Sequence, residues 1–112
     1  MADRDAAVFL LFDDEGSPVG FAQCQLRRDC VEGTSTSPLG YLEGIYIDEA
    51  RRRRRCGRTL LAACEKWAAE CGCTEFASDC KLGNDESLAF HLSAGLVEAA
   101  RVVCFAKRLA RP

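Results

Sequence analysis

An apolar strand pattern, a run of arginines and a long amphipathic helix pattern follow one another between residues 39 and 71. Residues 39–47 are mostly apolar, and Gly44 within them indicates a bulge or the close approach of another backbone. Over residues 51–71, apolar side chains recur at three- and four-residue spacing, which predicts a helix with one buried face. That face comprises Cys56, Leu60, Leu61, Cys64, Trp67, Ala68 and Cys71. The sequence therefore predicts a strand, a basic loop and a helix that packs on the strand.

The other elements follow from shorter apolar runs and the turn residues between them. Residues 7–12 and 18–27 predict a hairpin with a turn at residues 13–17, and residues 28–38 predict a loop. After a cap at Gly72, a fourth strand is expected at residues 74–78. A second helix is expected from Asn84 or Asp85 to Ser93, and Gly95 closes it. Strands at residues 96–99 and 102–108, as the two parts of a split last strand, complete the order β-β-β-α-β-α-β. The predicted fold class is α/β (α+β), a mixed sheet flanked by helices, as a single domain over residues 1–112.

Charge and cysteine usage exclude several functional classes. The net charge is −2 and the pI about 5.4, so nucleic acid is not an expected partner. No stretch approaches the roughly 18 apolar residues of a membrane span, and no secretory signal precedes the first strand. Several of the eight cysteines lie at buried helix positions, which indicates reduced thiols and a cytoplasmic protein. Cys71, Cys73 and Cys80 lack a paired spacing and a nearby histidine, so no metal site is predicted.

The arginine run has two interpretations. Arg51 to Arg55 and Arg58 lie where the long helix begins, and positive charge at that end opposes the helix dipole. The run is either a solvated charged surface or part of an anion site, in which the free N–H groups of the first turn hold a polyanion such as a pyrophosphate. The residues themselves favour neither interpretation.

Two motifs resemble those of the GNAT superfamily of acetyltransferases, in the family's order and separation. They are Arg52-x-x-Arg55-x-Gly57, similar to the acyl-CoA pyrophosphate loop, and Asn84-x-x-Ser87-x-x-Phe90-His91-x-x-x-Gly95-Leu96. The strings at residues 33–46 and 73–79 resemble more specifically the aminoglycoside 6'-N-acetyltransferases. The resemblance extends over nearly the whole chain from residue 7 onward, and it implies an acetyl-CoA-dependent enzyme that acetylates an aminoglycoside.

The resemblance also implies roles for individual residues. The implied coenzyme-binding residues are Ile45, Tyr46, Ile47, Arg53, Arg54, Arg55, Cys56, Gly57, Arg58 and Asn84. Glu43 and Asp79 match the carboxylates of the acceptor site, where negative charge attracts a polycation and Asp79 helps to remove the proton of the attacking amine. His91 stands where many family members carry a tyrosine that protonates the departing thiolate, a step that histidine can also perform.

The chain departs from the family pattern in places that matter for function. Arg55 stands where the loop pattern has its first glycine, and Cys30, Ala100 and Cys104 replace residues of the close subfamily. The strand and two helices that precede the hairpin in family members are missing, which would expose one sheet face unless a second copy covers it, so a homodimer is expected. The alternatives are an acetyltransferase for another small amine, an inactive coenzyme-binding remnant and, more distantly, a nucleic-acid-binding module.

Overall fold

The computed structural model describes residues 5–52 and 55–111. Strand β1, Ala6–Phe12, pairs antiparallel with strand β2, Pro18–Arg27. The turn between them is held by Asp13, whose carboxylate accepts hydrogen bonds from the backbone N–H groups of Glu15 and Ser17, each at 2.9 Å. The predicted hairpin and its turn are confirmed.

Strand β3, Leu39–Ile47, continues the antiparallel sheet on the other side of β2. Gln23 lies opposite Gly44 and Cys24 opposite Leu42, so Glu43 is the extra residue of a β-bulge. The irregularity predicted at Gly44 is therefore present, and it involves Glu43 directly. After β3 the backbone forms a short 3-10 turn at Glu49–Arg51.

Helix α1, Cys56–Glu70, packs on this sheet and shares the core with it. Leu60, Leu61, Cys64 and Ala68 are buried, whereas Cys71 lies exposed beyond the helix end. The prediction of a helix over residues 51–71 was wrong at both ends. Arg51 belongs to the 3-10 turn, and Arg55 has left-handed backbone angles that cannot continue a helix.

The last described elements are strand β4, Phe76–Ala77, and helix α2, Asp85–Ser93. Strand β4 pairs parallel with β3 only at Gly40 and Tyr41, so the fourth strand is shorter than the predicted residues 74–78. Helix α2 begins as predicted, because the Asn84 side-chain oxygen accepts a hydrogen bond from the N–H of Ser87 at 3.2 Å. The sheet order is β1-β2-β3-β4, and the predicted mixed sheet is confirmed.

The two strands predicted at residues 96–99 and 102–108 are wrong. Residues 96–111 form neither helix nor strand, and the apolar side chains of Val103 and Phe105 are 75% and 92% exposed. The β-propensity of this segment does not produce a strand, because no strand of the described chain forms a hydrogen-bonded ladder with it. We call residues 97–111 the C-terminal arm.

The two faces of the sheet differ in cover. Phe9 and Leu11 point to the face that α1 covers, while their neighbours Val8, Leu10 and Phe12 are more than half exposed on the other. This second face is the surface that the sequence comparison predicted to be uncovered. Within residues 5–52 and 55–111, no helix has the length and apolar character needed to cross a membrane. No disulfide bond joins any of the eight cysteines, all of which lie in the described ranges.

Candidate functional site

Glu43 lies at the centre of a polar cluster on the sheet face opposite α1. One of its carboxylate oxygens, Oε1, accepts a hydrogen bond from Gln25 Nε2 at 2.6 Å. The same oxygen accepts two from Arg27, from Nε at 3.1 Å and from Nη2 at 2.9 Å. Gln25 and Arg27 lie two residues apart on β2, so both side chains project to the sheet face that carries Glu43. The bulge thus places a carboxylate beside two donors from the neighbouring strand.

Asp79 joins this cluster through Tyr41. The Tyr41 hydroxyl donates a hydrogen bond to Asp79 Oδ2 at 2.6 Å, and the Arg27 guanidinium lies 3.7 Å from the centroid of the Tyr41 ring. Burial, together with the hydrogen bond to Asp79, raises the pKa of Tyr41 to about 12. The phenol therefore stays protonated at neutral pH and remains the donor to Asp79. The structure brings the predicted Glu43 and Asp79 into one connected cluster.

A section of the β3 edge next to this cluster has no strand partner. On the side of β3 away from β2, β4 pairs only with Gly40 and Tyr41, and the described chain contains no strand beside residues 45–47. Main-chain groups on such an edge can bind an extended, amide-rich ligand as an added strand. This part of the edge is formed by Ile45, Tyr46 and Ile47, which the resemblance implied as coenzyme-binding residues. The Ile47 carbonyl also accepts a hydrogen bond from Arg52 Nε at 3.0 Å.

The edge leads directly to the N-terminus of α1. Arg55 immediately precedes the helix with φ at 64°, and its carbonyl accepts a hydrogen bond from the N–H of Thr59 at 3.0 Å. The N–H groups of Gly57 and Arg58 belong to the first turn of α1, where a helix leaves its donors available to an anion, and Cys56 is the first residue of that helix. Arg53 and Arg54, predicted to join this loop, lie outside the described residues.

Gly57 brings the two sequence motifs into contact. A Cβ built at Gly57 would lie 2.8 Å from Phe90 Cε1, closer than real Cβ contacts allow. Phe90 belongs to α2, so the absence of a side chain at Gly57 lets the start of α1 pack directly against α2. The glycine therefore has a packing role in addition to any role in binding an anion, and α2 buttresses the helix end that faces the loop.

His91 uses both ring nitrogens within the described chain. Nδ1 lies 2.7 Å from the carbonyl oxygen of Ser87, and Nε2 lies 2.8 Å from Ser78 Oγ. A carbonyl can only accept, so Nδ1 carries a proton and donates it. The bond to Ser78 fastens α2 to the segment that follows β4, whereas the bond to Ser87 lies within α2. Asn84 lies at the N-terminus of the same helix, with its side-chain oxygen occupied by the cap to Ser87.

Sequence reasoning missed Gln25, Arg27 and Tyr41 as members of the acceptor-side cluster. Strand alternation places Gln25 and Arg27 on one face of β2, and Tyr41 and Glu43 lie two residues apart on β3. The missing information was the register, since only the pairing of Gln25 with Tyr41 shows which residues of the two strands meet.

Arg55→Gly is expected to stabilise the fold. A residue with a Cβ at a φ of 64° loses about 1–2 kcal/mol of folding stability to backbone strain. Glycine removes this strain, but its greater freedom in the unfolded chain offsets part of the benefit, so the net gain in stability is about 0.5–1 kcal/mol. Urea denaturation measures this difference. Arg55→Ala is the matched control, because it removes the same charge but keeps the Cβ. Equal stability of the two variants would show that charge, not backbone strain, dominates at this position. The loop resemblance further predicts tighter coenzyme binding by Arg55→Gly.

Comparisons with known proteins agree with this geometry. The family model described as "Acetyltransferase (GNAT) family" matches residues 1–96. An aminoglycoside N(6')-acetyltransferase type 1 from Stenotrophomonas maltophilia is 43% identical over 105 residues, which cover 94% of this chain and 69% of that protein.

Two solved structures are similar over most of the chain. The apo crystal structure of the aminoglycoside 6'-N-acetyltransferase AAC(6')-IG from Acinetobacter haemolyticus has a TM-score of 0.89 and 39% identity, and the match covers 96% of this chain and 74% of that one. AAC(6')-Iy, solved with the bisubstrate analogue CoA-S-monomethyl-acetylneamine, has a TM-score of 0.89 and 36% identity, with 94% and 71% covered.

Proposed function

The chain belongs to the acetyltransferase (GNAT) family, and from that membership we propose that it transfers the acetyl group of acetyl-CoA to the 6'-amine of an aminoglycoside. This is the activity named for relatives that share 36–43% of their residues with it. The observation that carries the proposal is the connected cluster of Glu43, Arg27, Tyr41 and Asp79 beside an unpaired strand edge. Side chains suited to binding a cation thus lie next to an edge suited to binding an amide-rich coenzyme.

The coenzyme side of the proposed site fits the residues present. Acetyl-CoA supplies the acetyl thioester. Main-chain groups of residues 45–47 would bind its amide-rich arm, and the first turn of α1 would hold its pyrophosphate. The arginines at positions 53, 54, 55 and 58 would add positive charge there. We also propose that Asn84 binds the coenzyme through its amide N–H groups, because its oxygen already caps α2.

The acceptor side explains how a cationic amine becomes a nucleophile. Glu43 and Asp79 would attract and orient the aminoglycoside, and Asp79 would take the proton that the ammonium loses, directly or through water. The amine nitrogen would then bond to the acetyl carbon and give up its second proton to water, while the carbon–sulfur bond breaks and the sulfur leaves as a thiolate. The proposed proton donor to that thiolate is His91 in its doubly protonated form. Its Nε2 would pass a proton to the oxygen of Ser78 as the Ser78 hydroxyl gives its own proton to the thiolate.

Two measurements test this function in sequence. Saturating acetyl-CoA should raise the melting temperature, since a ligand that binds only the folded state stabilises it. Release of free thiol should then occur when tobramycin or kanamycin is added. A chain that binds the coenzyme without thiol release would be an inactive coenzyme-binding protein. Thiol release with polyamines but not with aminoglycosides would identify a different acceptor.

We also propose that the protein is a homodimer in which the C-terminal arm of each copy contacts the other. Apolar side chains along the arm are exposed, including Val97 at 86% and Phe105 at 92%. Strand β4 is an edge strand, and a cavity of about 330 Å³ lies along its open side. Phe76, Ala77, Ser78, Leu96 and Val97 line much of that cavity. An extended apolar segment and an open strand edge are complementary elements for β-strand addition between copies.

Phe105→Asp is expected to lower the oligomeric mass. The substitution places a charge on an arm residue that a dimer would bury, so the equilibrium should shift toward monomer at micromolar concentration. Sedimentation velocity measures the mass. Leu82→Asp is the matched control, because Leu82 is similarly exposed but lies before α2, away from the arm and β4. A wild-type chain that sediments as a monomer would refute the dimer.

A further inference from the structure

The Arg27 guanidinium occupies the position where a cationic acceptor would be expected. It donates two hydrogen bonds to Glu43 Oε1, which also accepts one from Gln25. That oxygen therefore has no capacity for a further strong donor, whereas Oε2 has no hydrogen-bond partner within the described part of the chain. An ammonium group that approaches Glu43 meets a carboxylate that is already neutralised by an arginine.

Arg27 also covers the ring of Tyr41, with its Cζ atom 3.7 Å from the centroid. The face of an aromatic ring is a binding surface for cations, and the hydroxyl of this ring is hydrogen-bonded to Asp79. The Arg27 guanidinium thus lies on the face of the Tyr41 ring and against the Glu43 carboxylate. Tyr41 connects it to a second carboxylate, that of Asp79. These are the contacts that a protonated amine of a polycationic ligand would seek.

We propose that Arg27 is a specificity-determining residue that competes with the cationic acceptor for Glu43 and Tyr41. An acceptor with several positive charges can displace the guanidinium from these groups, because ion pairs with solvent access are weak. An acceptor with a single amine has less electrostatic attraction to this region and displaces Arg27 less readily. Arg27 would therefore select for acceptors that carry several amines, such as aminoglycosides. This inference rests on the proposed function, which supplies the cationic acceptor.

Arg27→Gln should tighten acceptor binding. Glutamine is uncharged, so Glu43 becomes available to the acceptor. We expect the dissociation constant of tobramycin to fall about fivefold, the factor that matches the upper end of measured exposed ion pairs.

Arg28→Gln is the matched control for total charge. Arg28 follows Arg27 in sequence, but its guanidinium pairs with Asp5, Nη1 to Oδ2 at 2.8 Å, and makes no bond to Glu43. We expect at most about a twofold change in tobramycin affinity for this variant. The same change in both variants would show a long-range effect of charge and would overturn the proposal. Weaker binding by Arg27→Gln would show instead that Arg27 positions Glu43 for the acceptor.

A double-mutant cycle with Glu43→Gln separates competition from other effects. If Arg27 acts by occupying Glu43 as well as Tyr41, the gain from Arg27→Gln should shrink in the Glu43→Gln background. A gain that keeps its full size there would overturn the proposal. Titration calorimetry with tobramycin in the presence of CoA measures all four variants without turnover. A wild-type protein that binds tobramycin but releases no thiol from acetyl-CoA would refute the proposed function while leaving the test of Arg27 intact.

Discussion

Asp79→Asn is expected to lower kcat with aminoglycosides by about a hundredfold or more, the usual contribution of a positioned general base. Asparagine keeps the shape of the side chain and can still accept the hydrogen bond from the Tyr41 hydroxyl, so the cluster should stay assembled. What it loses is the ability to take a proton from the attacking ammonium. Steady-state kinetics of thiol release measure the effect, and the melting-temperature shift caused by acetyl-CoA should remain that of the wild type.

Asp14→Asn provides the matched control for this variant. Asp14 lies exposed in the turn between β1 and β2, and the same change of one carboxylate to an amide there should leave kcat within about twofold. Tyr41→Phe tests the link to the base, since it removes only the hydroxyl that orients Asp79. We expect it to lower kcat by less than Asp79→Asn does. A kcat for Asp79→Asn equal to that of the wild type would show that proton removal is carried out elsewhere.

Gly40→Val is expected to destabilise the fold more than any other single change considered. A Cβ at Gly40 would lie 2.6 Å from the Ala68 Cβ on α1 and 2.6 Å from Phe76 Cδ1 on β4. The side chain would have to separate the helix from the sheet or displace β4, and overpacking of this kind costs about 3 kcal/mol. For a chain of this size, a loss of that magnitude lowers the melting temperature by roughly 15 °C. Differential scanning calorimetry measures the shift.

Gly44→Val is the control on the same strand. A Cβ at Gly44 meets nothing within 4 Å, so its melting temperature should change by only a few degrees. Gly44 lies at the bulge beside the proposed coenzyme-binding edge. The comparison of Gly40→Val with Gly44→Val therefore uses the melting temperature of each variant and not its activity. Equal losses for Gly40→Val and Gly44→Val would mean that the close packing of α1 on β3 does not govern stability.

Much of the fold could be predicted because it follows from local patterns. The hairpin strands are apolar runs separated by turn residues, and the turn at Asp13 and the cap at Asn84 depend on bonds that span no more than four residues. The predictions failed where structure depends on distant partners. The C-terminal arm has the composition of a strand, but a strand needs a neighbour, and the described chain places none beside it.

The candidate site divides in the same way. Glu43, Asp79 and the arginine loop could be named from motifs, and the structure joins the two carboxylates through Tyr41 and Arg27. Arg27 lies outside the motifs, and the motifs assign no role to Tyr41. The contact between Gly57 and Phe90 likewise connects two motifs that the sequence shows only as separate strings.

The sequence by itself determined the elements and the chemical character of the site, because hydrophobic period, turn residues and caps act over a few neighbouring positions. Only the tertiary structure decided that Arg27 lies against Glu43, that Arg55 adopts a left-handed backbone, and that the β3 edge away from β2 is unpaired beyond Tyr41. These features depend on the register between strands and on the packing of α1. A one-residue slip in the strand register would turn the same side chains to the other face of the sheet.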